Sequence, residues 1–217
     1  MGSFYEEFIY HLERGEKEKC VVMSLQQVDE GKMNIKELYT DVLAPALNSI
    51  CNENKEQKIG IWEEHFRSSV VRTIIESCFP YVIKERDTRG YKRKESKVVI
   101  LCPEGEHHDM GARMAADFFT LAGYESIFIG SSTPKNEFIT MVDTLKPQYI
   151  ALSVISYYNL VSAKKTIESI RNKYGNSIKI IAGGHALSRN PASVSEIGAD
   201  ALVNTYEEIM NLGKEDN

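Results

Sequence analysis

The chain has 217 residues and a net charge of −5, from 26 Lys and Arg against 31 Asp and Glu. That length holds one large or two small domains, and the acidic balance argues against nucleic-acid binding by the chain as a whole. No apolar run approaches the ~18 residues needed to span a bilayer. The start shows neither a charged-then-apolar leader nor a myristoylation pattern, because Glu6 stands where Ser or Thr is wanted, so a cytoplasmic protein is expected. Cys20, Cys51, Cys78 and Cys102 form no metal-like pair and sit in apolar settings, which predicts buried free thiols.

The first part reads as helices. Phe4, Tyr5, Phe8, Ile9 and Leu12 recur at helical spacing up to Gly15. Cys20, Val21, Ser24, Leu25 and Val28 suggest a second helix, stopped at Gly31. Ile35, Leu38, Tyr39, Val42, Leu43, Ala46, Leu47 and Ile50 make a third stripe, and Pro45 inside it should kink or loosen that helix. A fourth helix is predicted over 61–83, with Trp62, Phe66, Val70 and Ile74 spaced by four. Four antiparallel helices with short connections make a bundle over 1–84. Residues 85–96 are charged, carry Gly90 and lack an apolar stripe, which suits a solvated linker.

From Lys97 onward strands and helices alternate. Strands are predicted at 98–101, 126–129, 149–154, 178–182 and 201–203. Helices follow at 111–121, from Thr133-Pro134 (an N-cap followed by proline) to Leu145, at 160–174 and from Tyr206. Such alternation over 97–217 implies a doubly wound, five-stranded parallel sheet with right-handed crossovers, flavodoxin-like in type. Ligands bind these sheets at the carboxyl ends of the strands.

One loop at that rim carries chemistry: Glu106-His107-His108-Asp109-Met110-Gly111. A carboxylate near an imidazole can accept its N–H and raise the basicity of the other nitrogen, making it a better metal ligand. A glycine lets the chain turn and approach a bulky ligand. At the same rim Ser153 ends the third strand, and Gly183-Gly184 follows the fourth. Taken singly, Ser153 reads as a strand-end cap and Gly183-Gly184 as a tight turn.

This loop resembles the E/D-x-H-x-x-G signature of cobalamin-binding domains, in which the His replaces the cofactor's own base beneath cobalt. The spacing selects His108, with Glu106 at −2 and Gly111 at +3. His107 has Gly105 and Met110 at those places. Ser153-Val154-Ile155 resembles the family's S-x-L/T element, with Ile155 at the third place, and Gly183-Gly184 resembles its later glycine pair. The resemblance implies a corrinoid held base-off/His-on, with Glu106, His108, Asp109, Gly111, Ser153, Ile155, Gly183 and Gly184 around it. Small residues would then leave a slot for the nucleotide tail.

The helical region also resembles the four-helix cap of this family. The Glu64-His65 pair resembles the cap of cobalamin-dependent photoreceptor repressors, where Glu and His face the upper side of the corrin; Trp62 reads either as bundle core or as part of that face, and His65 otherwise as a core histidine. The implied function is a sensory or regulatory protein, non-catalytic and possessing a light- or upper-ligand-responsive contact with a protein partner or a second copy. The alternative is a corrinoid methyl carrier of a methyltransferase system. Two departures stand out: Asn54 lies where that branch has Trp, which puts an adenosyl upper ligand in doubt, and the sequence opens on the cap without a DNA-binding helix-turn-helix, which weakens the sensor and means direct DNA binding is not expected. A flavodoxin-like nucleotide binder would need a G-x-G-x-x-G fingerprint, which is lacking.

Overall fold

The computed structural model describes residues 3–90 and 93–212. The chain divides into two compact units between Arg89 and Gly90.

The first unit is a four-rod helical bundle. Helix α1 (Phe4–Glu13) starts at a capping box, in which Ser3 and Glu6 each accept the other's backbone N–H. Helix α2 (Lys17–Asp29) follows Gly15, whose φ of +72° reverses the chain. The third rod opens with a second capping box, Asn34 and Glu37, at α3 (Ile35–Glu37). It widens into a π-helical stretch, Leu38–Leu43, and continues as α4 (Ala44–Lys55). The Ala44 N–H reaches back five residues to the Tyr39 carbonyl. Pro45, with no N–H to give, comes next, so the loosening expected there appears as a wider turn. Phe8, Ile35, Leu38, Tyr39, Val70 and Ile74 are fully buried in this bundle.

Helix α5 (Ile61–Thr88) differs from expectation at both ends. It passes Pro80 without breaking and takes in residues 85–88 of the expected linker. At its start Trp62 is 73% exposed and Phe66 37% exposed, so only Val70 and Ile74 of the four-residue stripe belong to the core. Cys51 is also exposed on α4, whereas Cys20, Cys78 and Cys102 are buried as expected.

The second unit is a five-stranded parallel sheet of order β2-β1-β3-β4-β5. The strands are β1 (Lys97–Pro103), β2 (Glu125–Thr133), β3 (Tyr149–Ser153), β4 (Lys179–Gly183) and β5 (Ala201–Leu202). Helices α6 (Met110–Leu121), α7 (Phe138–Leu145), α8 (Leu160–Tyr174), α9 (His185–Arg189), α10 (Ala192–Ile197) and α11 (Tyr206–Asn211) connect and flank them. The central strands are fully apolar runs because helices cover both faces, and Val99, Leu101, Ile150 and Ile180 are fully or almost fully buried. Strand β2 runs four residues beyond its expected end. Thr133 therefore closes a strand rather than capping a helix, and α7 starts only after a 3₁₀ turn at Lys135–Glu137. Helices α9 and α10 lie in a stretch without a predicted helix. Among the described residues no helix is long and apolar enough to cross a membrane.

Candidate functional site

Chain direction away from β1 reverses at the β1/β3 boundary, which is where a sheet of this order opens a crevice for ligands. The loop after β1 and the turn after β3 meet there, and their junction is a buried carboxylate. Glu106 is 0% exposed. Its Oε1 accepts His108 Nδ1–H at 2.6 Å and the His108 backbone N–H at 3.1 Å. Its Oε2 accepts the backbone N–H of Ile155 at 3.0 Å, that of Ser156 at 2.9 Å and Asn159 Nδ2 at 2.9 Å. Burial by itself raises the carboxyl pKa, but the hydrogen bonds from His108, Ser156 and Asn159 outweigh it and hold the group down at about 2.

An ionised carboxylate only accepts, so Nδ1 of His108 carries the hydrogen, and in the neutral ring Nε2 is the nitrogen left to act as a ligand. The side chain of His108 is 61% exposed over a partner that is fully buried. The loop itself is pinned by Glu106 N–H to the Pro103 carbonyl at 2.9 Å and by Ser132 N–H to the Glu106 carbonyl at 2.8 Å. Gly105 takes φ +87° to make the bend. Beneath the loop, burial first and then Asp109 and Glu106 push the Cys102 thiol up to about 12, which leaves it inert.

Asp109 stands at the N-cap position of α6 without a side-chain capping bond; it is 2% exposed, and its Oδ2 accepts Arg113 Nε–H at 3.1 Å. Gly111 is the second residue of α6, in ordinary helical geometry, so it does not turn the chain as expected. A Cβ there would meet nothing within 4 Å, so the space beside it is open. Ser153 ends β3, half-buried and in register with Gly183.

Gly183 and Gly184 are glycines for a reason internal to the fold. A Cβ at Gly183 would lie 2.2 Å from the Val203 carbonyl oxygen. One at Gly184, where φ is +105°, would lie 2.4 Å from the Val154 carbonyl oxygen. The Gly184 N–H donates to Asn204 Oδ1 at 2.8 Å. In the helical unit, Trp62 and His65 are exposed and Glu64 is half-buried, all on the first turns of α5. Among the described residues His65 has no hydrogen bond, and the bundle's buried, bonded histidine is His11, 2.6 Å from Glu16.

Glu106, His108 and Ile155 are thus brought together directly, with Ser153, Gly183 and Gly184 along the same strand ends and Asp109 and Gly111 on the first turn of α6. Asn159 and Ser156 were not singled out as site residues, yet both bond to the Glu106 carboxylate. Their spacing of about fifty residues from it carries no local signal.

A corrinoid needs from its protein one neutral imidazole nitrogen reaching the metal and a bare approach beside it. The exposed His108 ring, held through Nδ1, and the open space at Gly111 fit that need.

Comparison with known proteins agrees. The B12 binding domain profile matches residues 96–211, and a second profile of the same description matches residues 5–78. A corrinoid protein of Desulfitobacterium hafniense is 23% identical over 91% of this chain and 90% of its own length. The trimethylamine corrinoid protein of Methanosarcina barkeri is 29% identical over 48% of this chain and 47% of its own. The HTH-type transcriptional repressor CarH of Myxococcus xanthus is 23% identical over 73% of this chain and 50% of its own.

Among solved structures, the monomethylamine corrinoid protein of Methanosarcina barkeri superposes with a TM-score of 0.83 at 14% identity, covering 98% of both chains. The methanol:cobalamin methyltransferase complex MtaBC of the same organism gives a TM-score of 0.52 at 18% identity, over 96% of this chain and 77% of that one. With the dyad, the sheet order and these matches in hand, the chain belongs to the B12-binding domain family, and its cofactor is a corrinoid.

Proposed function

We propose that this chain is the corrinoid-carrying component of a methyltransferase system. The observation that carries the reading is the Glu106–His108 pair, a buried carboxylate that holds an exposed imidazole through its Nδ1. A bound corrinoid supplies a metal that takes up and hands on a methyl group. The protein's own residues hold and orient it. His108 would ligate the metal through Nε2, with Glu106 keeping the Nδ1 hydrogen in place and the ring from rotating. Gly111 would let the corrin come close to α6. Ser153 would bond the displaced base at the end of β3. Trp62, Glu64 and His65 would meet the upper face of the corrin.

The carrier is preferred to the sensor because a corrinoid protein matches nearly end to end, and further matches carry trimethylamine, monomethylamine and methanol systems in their names. Asn54 also lacks the aromatic surface that the sensor resemblance requires. The second reading, a regulator that responds to its upper ligand, rests on the CarH match and on Glu64-His65.

The test is one preparation assayed two ways. Reduced, cobalamin-loaded protein is mixed with a methylamine- or methanol-specific methyltransferase and its methyl donor. The carrier gains the absorption of methylcobalamin, and its sedimentation is indifferent to green light. Adenosylcobalamin-loaded protein that changes oligomeric state on illumination, and accepts no methyl group, would install the regulator instead.

A further inference from the structure

We infer that Arg67 is a positioning residue, which ties the first turns of α5, carrying Trp62, Glu64 and His65, to the end of α4. The inference rests on the reading above that this surface meets the corrin. The first turn of α5 lacks the usual supports. Its N-cap is Gly60, with no side-chain cap, and Ile61 and Trp62 are 67% and 73% exposed, so apolar burial does not hold it. The connection at 56–60 is largely exposed and passes through Gln57 at φ +58°.

Arg67 bridges across that connection. Its Nη2 donates to Glu63 Oε1 at 2.6 Å, one turn back on α5, and its Nη1 donates to Glu53 Oε2 at 2.9 Å on α4. Ser49 in turn donates to Glu53 Oε1 at 3.0 Å. A guanidinium offers a rigid two-pronged fork, which fixes direction as well as distance. Arg67 is 6% exposed, and its Nε–H finds no acceptor among the described residues. A buried cation with an unmet donor is a poor way to gain stability, since an apolar side chain of similar length would fill the space without that cost. Position is what the fork adds.

The single tryptophan makes this measurable, because Trp62 lies on the turn that Arg67 anchors. Arg67→Met is expected to lower the fluorescence anisotropy of Trp62 in the cofactor-free protein, as the unanchored turn gains motion. In hydroxocobalamin-loaded protein it should speed azide exchange at the upper position roughly ten-fold, the scale of effect from misplacing a neighbouring group. Arg67→Lys, reaching one carboxylate, should fall between. Ile75→Val, a core change that lowers melting temperature, should move neither reading.

Anisotropy and exchange both equal to wild type in Arg67→Met would overturn the inference, as would an equal change in Ile75→Val. Lowered anisotropy with unchanged exchange upholds the anchoring by Arg67 and removes the upper-face reading on which it was built.

Discussion

Glu106 and His108 lie two residues apart, one fully buried and the other with a side chain 61% exposed, and share a 2.6 Å hydrogen bond. The protein thus keeps the carboxylate half of the pair inside, where four further contacts hold it, and offers only the imidazole half to a ligand. Replacing His108 by Ala should leave the fold intact, at a cost of about 1–2 kcal/mol for the lost bond. In protein labelled with nitrogen-15 histidine and loaded with cob(II)alamin, wild type should show nitrogen-15 coupling in its electron paramagnetic resonance spectrum. Persistence of that coupling in His108→Ala would remove His108 from the metal.

Glu106→Gln tests the inner half. An amide retains the shape but places an NH₂ among groups that are themselves donors. Cobalamin affinity should fall roughly 10–100-fold, as for other partners of a ligating histidine. The cofactor-free protein should also reveal the carboxylate in its acid stability. Glu106 titrates near 2 in the folded chain against an ordinary 4.5. Between those values the unfolded chain binds more protons, so its contribution is complete above about pH 5 and is lost as pH falls toward 2, by up to about 3 kcal/mol. Urea unfolding at pH 7, 4 and 3 should show this loss in wild type and a shallower one in Glu106→Gln. Parallel curves would mean that Glu106 is not depressed.

Asn159→Ala removes the one side-chain donor to Glu106 Oε2, together with a 3.4 Å contact to the Gly105 carbonyl. The backbone donors of Ile155 and Ser156 remain. Stability should drop by about 1–3 kcal/mol, because the lost donor had satisfied a buried charged acceptor. Cobalamin binding should weaken less than in Glu106→Gln. A variant with wild-type melting and affinity would show that the backbone donors suffice.

Glycine substitutions separate fold from ligand. Valine at Gly184 collides with the Val154 backbone whether or not a cofactor is bound, so that variant should lose stability without it. A side chain there therefore tests the fold and not the tail slot that the resemblance implies. Gly111→Val is the informative change. Its Cβ meets open space, so the cofactor-free melting temperature should stay within a few degrees of wild type while isothermal titration shows cobalamin affinity reduced. Normal affinity would mean that α6 does not approach the corrin at that residue.

His65→Ala should leave the cofactor-free protein as stable as wild type, since the side chain is exposed and has no hydrogen bond among the described residues. Any effect should appear in the rate of upper-ligand exchange on the loaded protein. An unchanged rate would take His65 out of the site.

Much of the architecture is legible in the chain because periodicity is local. The alternation of apolar runs and helical stripes from Lys97 reveals the parallel sheet, and the −2 and +3 neighbours single out His108. What stays hidden is long-range. Nothing near Ser156 or Asn159 says that they bond to Glu106 about fifty residues away. That follows only once β3 is placed beside β1. Trp62 and Phe66 fit the helical stripe by spacing, yet they lie outside the core, because periodicity reports a face and not what covers it. The short helices α9 and α10 have too few turns, with Ser, Asn and Pro among them, to raise a stripe. At Gly183 and Gly184 the residue type was legible but the reason was not, since a tight turn against a neighbouring strand and a slot for a ligand call for the same amino acid.

The cysteines carry a practical consequence. Cys20, Cys78 and Cys102 are shut away, and burial pushes the thiols of Cys20 and Cys102 up to about 11 and 12. Cys51 alone among the four is exposed. A maleimide dye or spin label added to the unaltered chain would therefore attach at one address, at the end of α4 where Arg67 grips Glu53. Distances from that reporter could follow the start of α5 through loading and turnover without any engineered site.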